Sequence, residues 1–220
     1  MTSPQKSRSG FALWLGIGVV VLVLALVAII VSQGGDDGDD SSDGSSTTAA
    51  TPVELDPGSA PALPVYDPGA EPDPAVGETI PTVTGTDFAG DEITLGPDGT
   101  AQVILFVAHW CPHCQKEIPL LKGHLDDNPM PDDVELVTVS TSVQPGAENY
   151  PPEAWLEDEG WTAPVLADDE GSTAAQAYGL SSFPYFVVVD ADGTVVMRAS
   201  GELSTDEFDA AVEAARTGQA

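Results

Sequence analysis

Cys111, Pro112, His113 and Cys114 are the residues of this chain best suited to chemistry, because they place the only two cysteines two residues apart with a histidine between them. The thiolate is the attacking species in disulfide exchange, so a redox cysteine needs a favoured thiolate and an exposed sulfur. A structural disulfide normally closes a longer loop than two residues, which makes C-x-x-C a candidate for redox or metal chemistry.

The elements around the motif are suited to positioning it. Val103 to Ala108 is an apolar run of strand length that ends just before the motif. Pro112 fits a first helical turn, since it lacks an N–H that would be unpaired there. The pattern predicts a helix from about Pro112 to Leu125, with Cys111 at its N-terminal tip and Ile118, Leu121 and Leu125 on one face. Pro119 should bend it. Unpaired N–H groups at the helix start favour a thiolate at Cys111, and His113 adds a hydrogen bond or a positive charge. Cys114 lies one turn inward and is better shielded. Cys111 is thus the expected nucleophile and Cys114 the resolving thiol.

The rest of the chain predicts an α/β domain. Ile80–Thr84 and Glu92–Leu95 flank a turn-rich segment and read as a strand pair. Val134–Ser140 and Pro164–Ala167 read as strands, and 151–160 and Ser172–Tyr178 as helices, with Gly179 as a C-cap. Tyr185–Val189 and Thr194–Ala199 flank a D-A-D-G turn. Ser204–Arg216 is an amphipathic helix with Ser204 and Glu207 at capping-box spacing. Alternating strands and helices imply layers around a mixed sheet of four to six strands.

Ahead of this domain the composition changes. Residues 11–31 carry no charge over 21 positions, long enough to span a bilayer at about 1.5 Å per residue. Lys6 and Arg8 precede the stretch, and the next basic residue is Lys116. The expectation is a single-pass cell-membrane anchor, with residues 1–10 cytoplasmic and the domain extracytoplasmic. Residues 32–75, rich in acidic residues, Gly, Ser and Pro, read as a disordered tether, part of which can pack on the domain through Val53, Leu55, Leu63, Val65 and Tyr66, and 76–220 as the folded domain. The formal net charge of -30 excludes nucleic acid as a natural partner.

W-C-P-H-C after an apolar strand, Pro119, Phe183-Pro184 and V-V-V-D-A-D-G-T-V together resemble the thioredoxin fold, a three-layer sandwich. The chain is similar in particular to the membrane-anchored TlpA-like and ResA-like thiol-disulfide oxidoreductases. The resemblance implies that Pro184 is the family's cis-proline opposite the cysteines, that Phe183 presents its backbone to substrate, and that Trp110 shields the sulfur. It implies no cofactor beyond a redox-active Cys111–Cys114 disulfide. Its expected partners are cysteines of exported proteins and a membrane protein that recycles the dithiol. Two positions depart from the family. Leu105 stands where many thioredoxins carry a buried acid, which leaves proton handling to water, His109 or another group. The Pro112-His113 pair resembles the oxidising DsbA-type site more than TlpA-like reductants, which leaves both directions of electron flow open. Two other readings of the same residues are a copper or zinc metallochaperone using Cys111, Cys114 and a histidine, and a non-catalytic docking module.

Overall fold

The computed structural model describes residues 52–220. The expected cytoplasmic segment, the anchor at 11–31 and the tether up to residue 51 lie outside the described residues. Among the described residues no helix is long and apolar enough to cross a membrane.

The elements run β1 Glu54–Leu55, β2 Val83–Thr86, β3 Glu92–Leu95, β4 Ala101–Val107, α1 Cys114–Asp127 and β5 Val134–Ser140. They continue with α2 Pro152–Asp158, β6 Val165–Ala167, α3 Thr173–Ala177, β7 Tyr185–Val189, β8 Val195–Ser200 and α4 Thr205–Thr217. The sheet has eight strands rather than four to six, in the order β1-β2-β6-β5-β4-β7-β8, with β3 also paired to β2. It is mixed: β4 runs parallel to β5, and β5 to β6, while β7 and β8 add antiparallel strands on the other side.

β4 is the centre of the molecule because every one of its seven residues is buried. Its side chains alternate between two cores, as the two-residue period of a strand requires. Val103, Leu105 and Val107 join Ile118, Leu121, Phe208 and Ala211 of α1 and α4 on one face. Ile104 and Phe106 join Tyr178, Tyr185 and Leu166 on the other. Two helical layers thus enclose the sheet, and both cysteines belong to the first core.

Two expectations about the N-terminal part change. The tether does not reach residue 75, because from Pro52 onward the chain packs on the second core. Val53, Leu63 and Ala75 are buried there, β1 pairs with β2, and Leu63 N–H donates to Ala177 O at 2.8 Å. Arg198 secures this wrap. Its guanidinium makes a two-pronged ion pair with Asp73, the Nε to Oδ2 distance being 2.8 Å. It also donates to Pro64 O at 2.7 Å and lies 5.1 Å from the centroid of the Tyr66 ring. The strand expected at Ile80–Thr84 also starts later, at Val83, and runs to Thr86. Pro81 has no N–H to contribute to a ladder, whereas Gly85 lets β2 approach Val53, whose Cγ2 would lie 3.0 Å from any Cβ placed there.

The other elements follow their sequence signals. Ser204 and Glu207 form a reciprocal capping box at the start of α4. Gly179 follows α3 with φ of 73°. A side chain there would sit 2.3 Å from Pro64 O, so close approach as well as the turn requires glycine.

Candidate active site

The turn between β4 and α1 carries the motif, and its geometry differs from the expected helix start. Helix α1 begins at Cys114, not Pro112. The Cys111 carbonyl accepts from Gln115 N–H at 3.0 Å, and His113 O accepts from Glu117 N–H at 2.9 Å. Cys111 thus precedes one loose turn and Cys114 opens the regular helix. Helix α1 runs on through Pro119.

Both cysteines are free thiols and both are buried. The expected exposed nucleophile is therefore a sulfur under cover: Cys111 keeps 6% of its surface and Cys114 none. The order of shielding is the expected one. Burial pushes the Cys114 thiol up, with further contributions from Cys111 and the nearby Glu117, while the backbone of Ala108 acts the other way. A thiol this strongly protonated must lose its proton to a neighbour before it can attack.

Glu117 is suited to take that proton, and the sequence reading missed it. It occupies the same helical stripe as Cys114, Ile118 and Leu121, and all four are buried. Burial pushes its carboxyl up to about 7, and the charges of Glu202 and Glu207 act in the same direction. The backbone N–H of Leu203 lies 3.2 Å from each of its carboxylate oxygens. Where Leu105 leaves the strand without an acid, α1 thus carries a buried one three residues after Cys114.

The two histidines beside the motif have different tasks. His109 is wholly buried. Its Nδ1 donates to Glu148 O at 2.7 Å, and its Nε2 accepts from Gln144 N–H at 3.1 Å. With both nitrogens engaged, it fastens the 142–150 loop to the active-site turn and does not face substrate as an acid or base. His113 is exposed, and its Nδ1 lies 2.6 Å from Glu202 Oε1. Its partner is a carboxylate, a contact the sequence did not indicate.

Trp110 and Phe183 form an aromatic pair, their rings edge to face with centroids 5.8 Å apart. Trp110 Nε1 donates to Ser142 O at 2.7 Å, which fixes the indole against the same loop that His109 holds. The Phe183–Pro184 bond is cis, and Pro184 is buried. Pairing of β7 with β4 starts at Tyr185, so Phe183 lies just before the ladder. Among the described residues no three of His, Cys, Asp and Glu gather as metal ligands.

The AhpC/TSA family model matches residues 76–198, and the chain belongs to that family. It is similar to sporulation thiol-disulfide oxidoreductase A of Bacillus subtilis, at 26% identity over 119 residues, covering 54% of this chain and 70% of that one. It is also similar to the thiol:disulfide interchange protein HelX of Rhodobacter capsulatus, at 27% identity, covering 66% and 79%. Among solved structures, a thioredoxin-family thiol:disulfide interchange protein from Chlorobium tepidum superposes with a TM-score of 0.52 at 23% identity, covering 62% of this chain and 94% of that one. That likeness establishes a thioredoxin-like α/β fold.

Proposed function

We propose that this chain is a membrane-anchored, extracytoplasmic thiol-disulfide oxidoreductase that exchanges electrons between Cys111/Cys114 and cysteines of exported proteins. The observation that carries the reading is the pairing of Cys111 with a fully buried Cys114 whose stripe-mate is the buried Glu117. The names of the relatives support it.

In the reductive direction the Cys111 thiolate attacks one sulfur of a substrate disulfide. A mixed disulfide forms and one substrate thiolate leaves. Glu117 takes the proton of the Cys114 thiol, and the Cys114 thiolate attacks Cys111 Sγ. The Cys111–Cys114 disulfide forms, the second substrate sulfur leaves as a thiolate, and it collects a proton. Two electrons pass from the dithiol to the substrate. The same steps in reverse oxidise a substrate dithiol, with Glu117 returning the proton.

Trp110 and Phe183, which pack against the core that holds Cys111, and Pro184 receive the substrate backbone. Pro112 sets the turn between the cysteines. Residues 11–31 serve as the anchor and the acidic segment after them as the tether, with a membrane redox partner recycling the dithiol. The test is insulin reduction and oxidative refolding of a reduced protein by the full chain. Turnover in either assay that disappears in Cys111→Ser supports the reading, and no turnover in both assays overturns it.

A further inference from the structure

The loop of residues 201–203, between β8 and α4, touches both halves of the cysteine site. Leu203 N–H holds Glu117. One residue earlier, Glu202 Oε1 lies 2.6 Å from His113 Nδ1 and 3.3 Å from Lys116 Nζ. Residues 80–220 hold four basic side chains, Lys116, Lys122, Arg198 and Arg216. Three are engaged away from the site: Lys122 with Asp126, Arg198 with Asp73 and Arg216 with Glu213. The groups beside the cysteines that can carry positive charge are therefore His113 and Lys116, and both converge on one carboxylate oxygen.

We propose that Glu202 is a positioning residue that sets the oxidising strength of the Cys111/Cys114 couple, by holding His113 and neutralising the cationic side of the turn. The proposal rests on the thiol-disulfide reading above. Reduction of the Cys111–Cys114 disulfide takes up two electrons and two protons and yields the dithiol. Anything that stabilises the Cys111 thiolate favours that reduced form and makes the disulfide a stronger oxidant. His113 and Lys116 would supply such stabilisation if their charge faced Cys111. Glu202 draws it off, since a cation bound to a carboxylate presents little net charge to a third group. The His113–Glu202 contact therefore makes this C-P-H-C site less oxidising than the motif alone would be.

The test compares the full-length chain in detergent with Glu202→Gln, Glu202→Asp, His113→Ala and the His113→Ala/Glu202→Gln double variant. Two quantities are read: the equilibrium constant with reduced and oxidised glutathione, and the pH at which Cys111 becomes reactive to iodoacetamide. Glu202→Gln should shift the equilibrium toward the dithiol by about threefold, the scale of an exposed ion pair. It should also move the Cys111 reactivity profile to lower pH. Glu202→Asp should behave as wild type. In the His113→Ala background the effect of Glu202→Gln should fall by at least half. No shift, a shift of opposite sign, or an equal shift without His113 would overturn the proposal. A wild-type chain that does not exchange with glutathione would bring down the thiol-disulfide reading itself. Normal wild-type exchange with an unchanged Glu202→Gln would remove only the role of Glu202.

Discussion

The backbone N–H of Leu203 lies 3.2 Å from both carboxylate oxygens of Glu117, so a loop 86 residues away holds the buried acid of α1 in place. This single donor offsets only part of the cost of burying the carboxylate, and Glu117 therefore titrates near neutrality, at about 7. An acid poised there can accept the proton of Cys114 and return it at physiological pH.

Glu117→Gln should slow formation of the Cys111–Cys114 disulfide from the mixed disulfide by about 100-fold, the usual scale of a lost general base. Attack by Cys111 on the first disulfide should change far less. Stopped-flow measurement of the two steps with a disulfide peptide separates them.

Stability carries the same signature. The folded value of Glu117 is raised above the unfolded one, about 4.3, so between the two the folded chain binds more protons than the unfolded chain. The contribution is most favourable below the unfolded value and is lost as pH rises through about 7. Urea titrations from pH 4.5 to 8 should show wild type losing about 2 kcal/mol relative to Glu117→Gln across this window, discounted for solvent screening.

Arg198 and Asp73 give the opposite sign at acid pH. The hydrogen bond to Arg198 holds the Asp73 carboxyl below its usual range, so the stability it contributes is present above about pH 3.9 and lost as pH falls below that. Asp73→Ala leaves the buried guanidinium without its anion and should cost about 3 kcal/mol by urea denaturation. The loss should be accompanied by faster proteolysis in the 52–75 wrap.

His109→Ala should free the 142–150 loop rather than alter proton transfer. Losing the bonds to Glu148 O and Gln144 N–H should cost about 2 kcal/mol and raise hydrogen exchange at Gln144. The pH profile of Cys111 reactivity should remain as in wild type, which separates a fastening histidine from a catalytic one.

The parts of this account that were legible in the sequence are those written in local patterns. The apolar run of β4, the Ser204–Glu207 capping box and the spacing of Cys111 and Cys114 each announce themselves within a few residues. The wrap of 52–75 showed only in its apolar residues, of which Val53 and Leu63 are indeed buried; its path did not show, because its prolines suppress any helical or strand period and its anchor, Asp73, lies 125 residues from Arg198. The helix start was misplaced by two residues, since Pro112 is equally at home in the turn before the helix. Glu117 was within reach: it stands three residues after Cys114 and one before Ile118, inside the buried stripe, but in Gln115-Lys116-Glu117 it reads as one more surface charge. Glu202 was not within reach, because only the folded loop brings it to His113.

The central claim is that Cys111 attacks and Cys114 resolves, and trapping of the mixed disulfide tests it most directly. With a disulfide peptide at neutral pH, Cys114→Ser should accumulate a stable adduct on Cys111, visible by intact mass, while Cys111→Ser accumulates none. Equal trapping on Cys114 in the Cys111→Ser chain, or no adduct in either variant, would contradict the account.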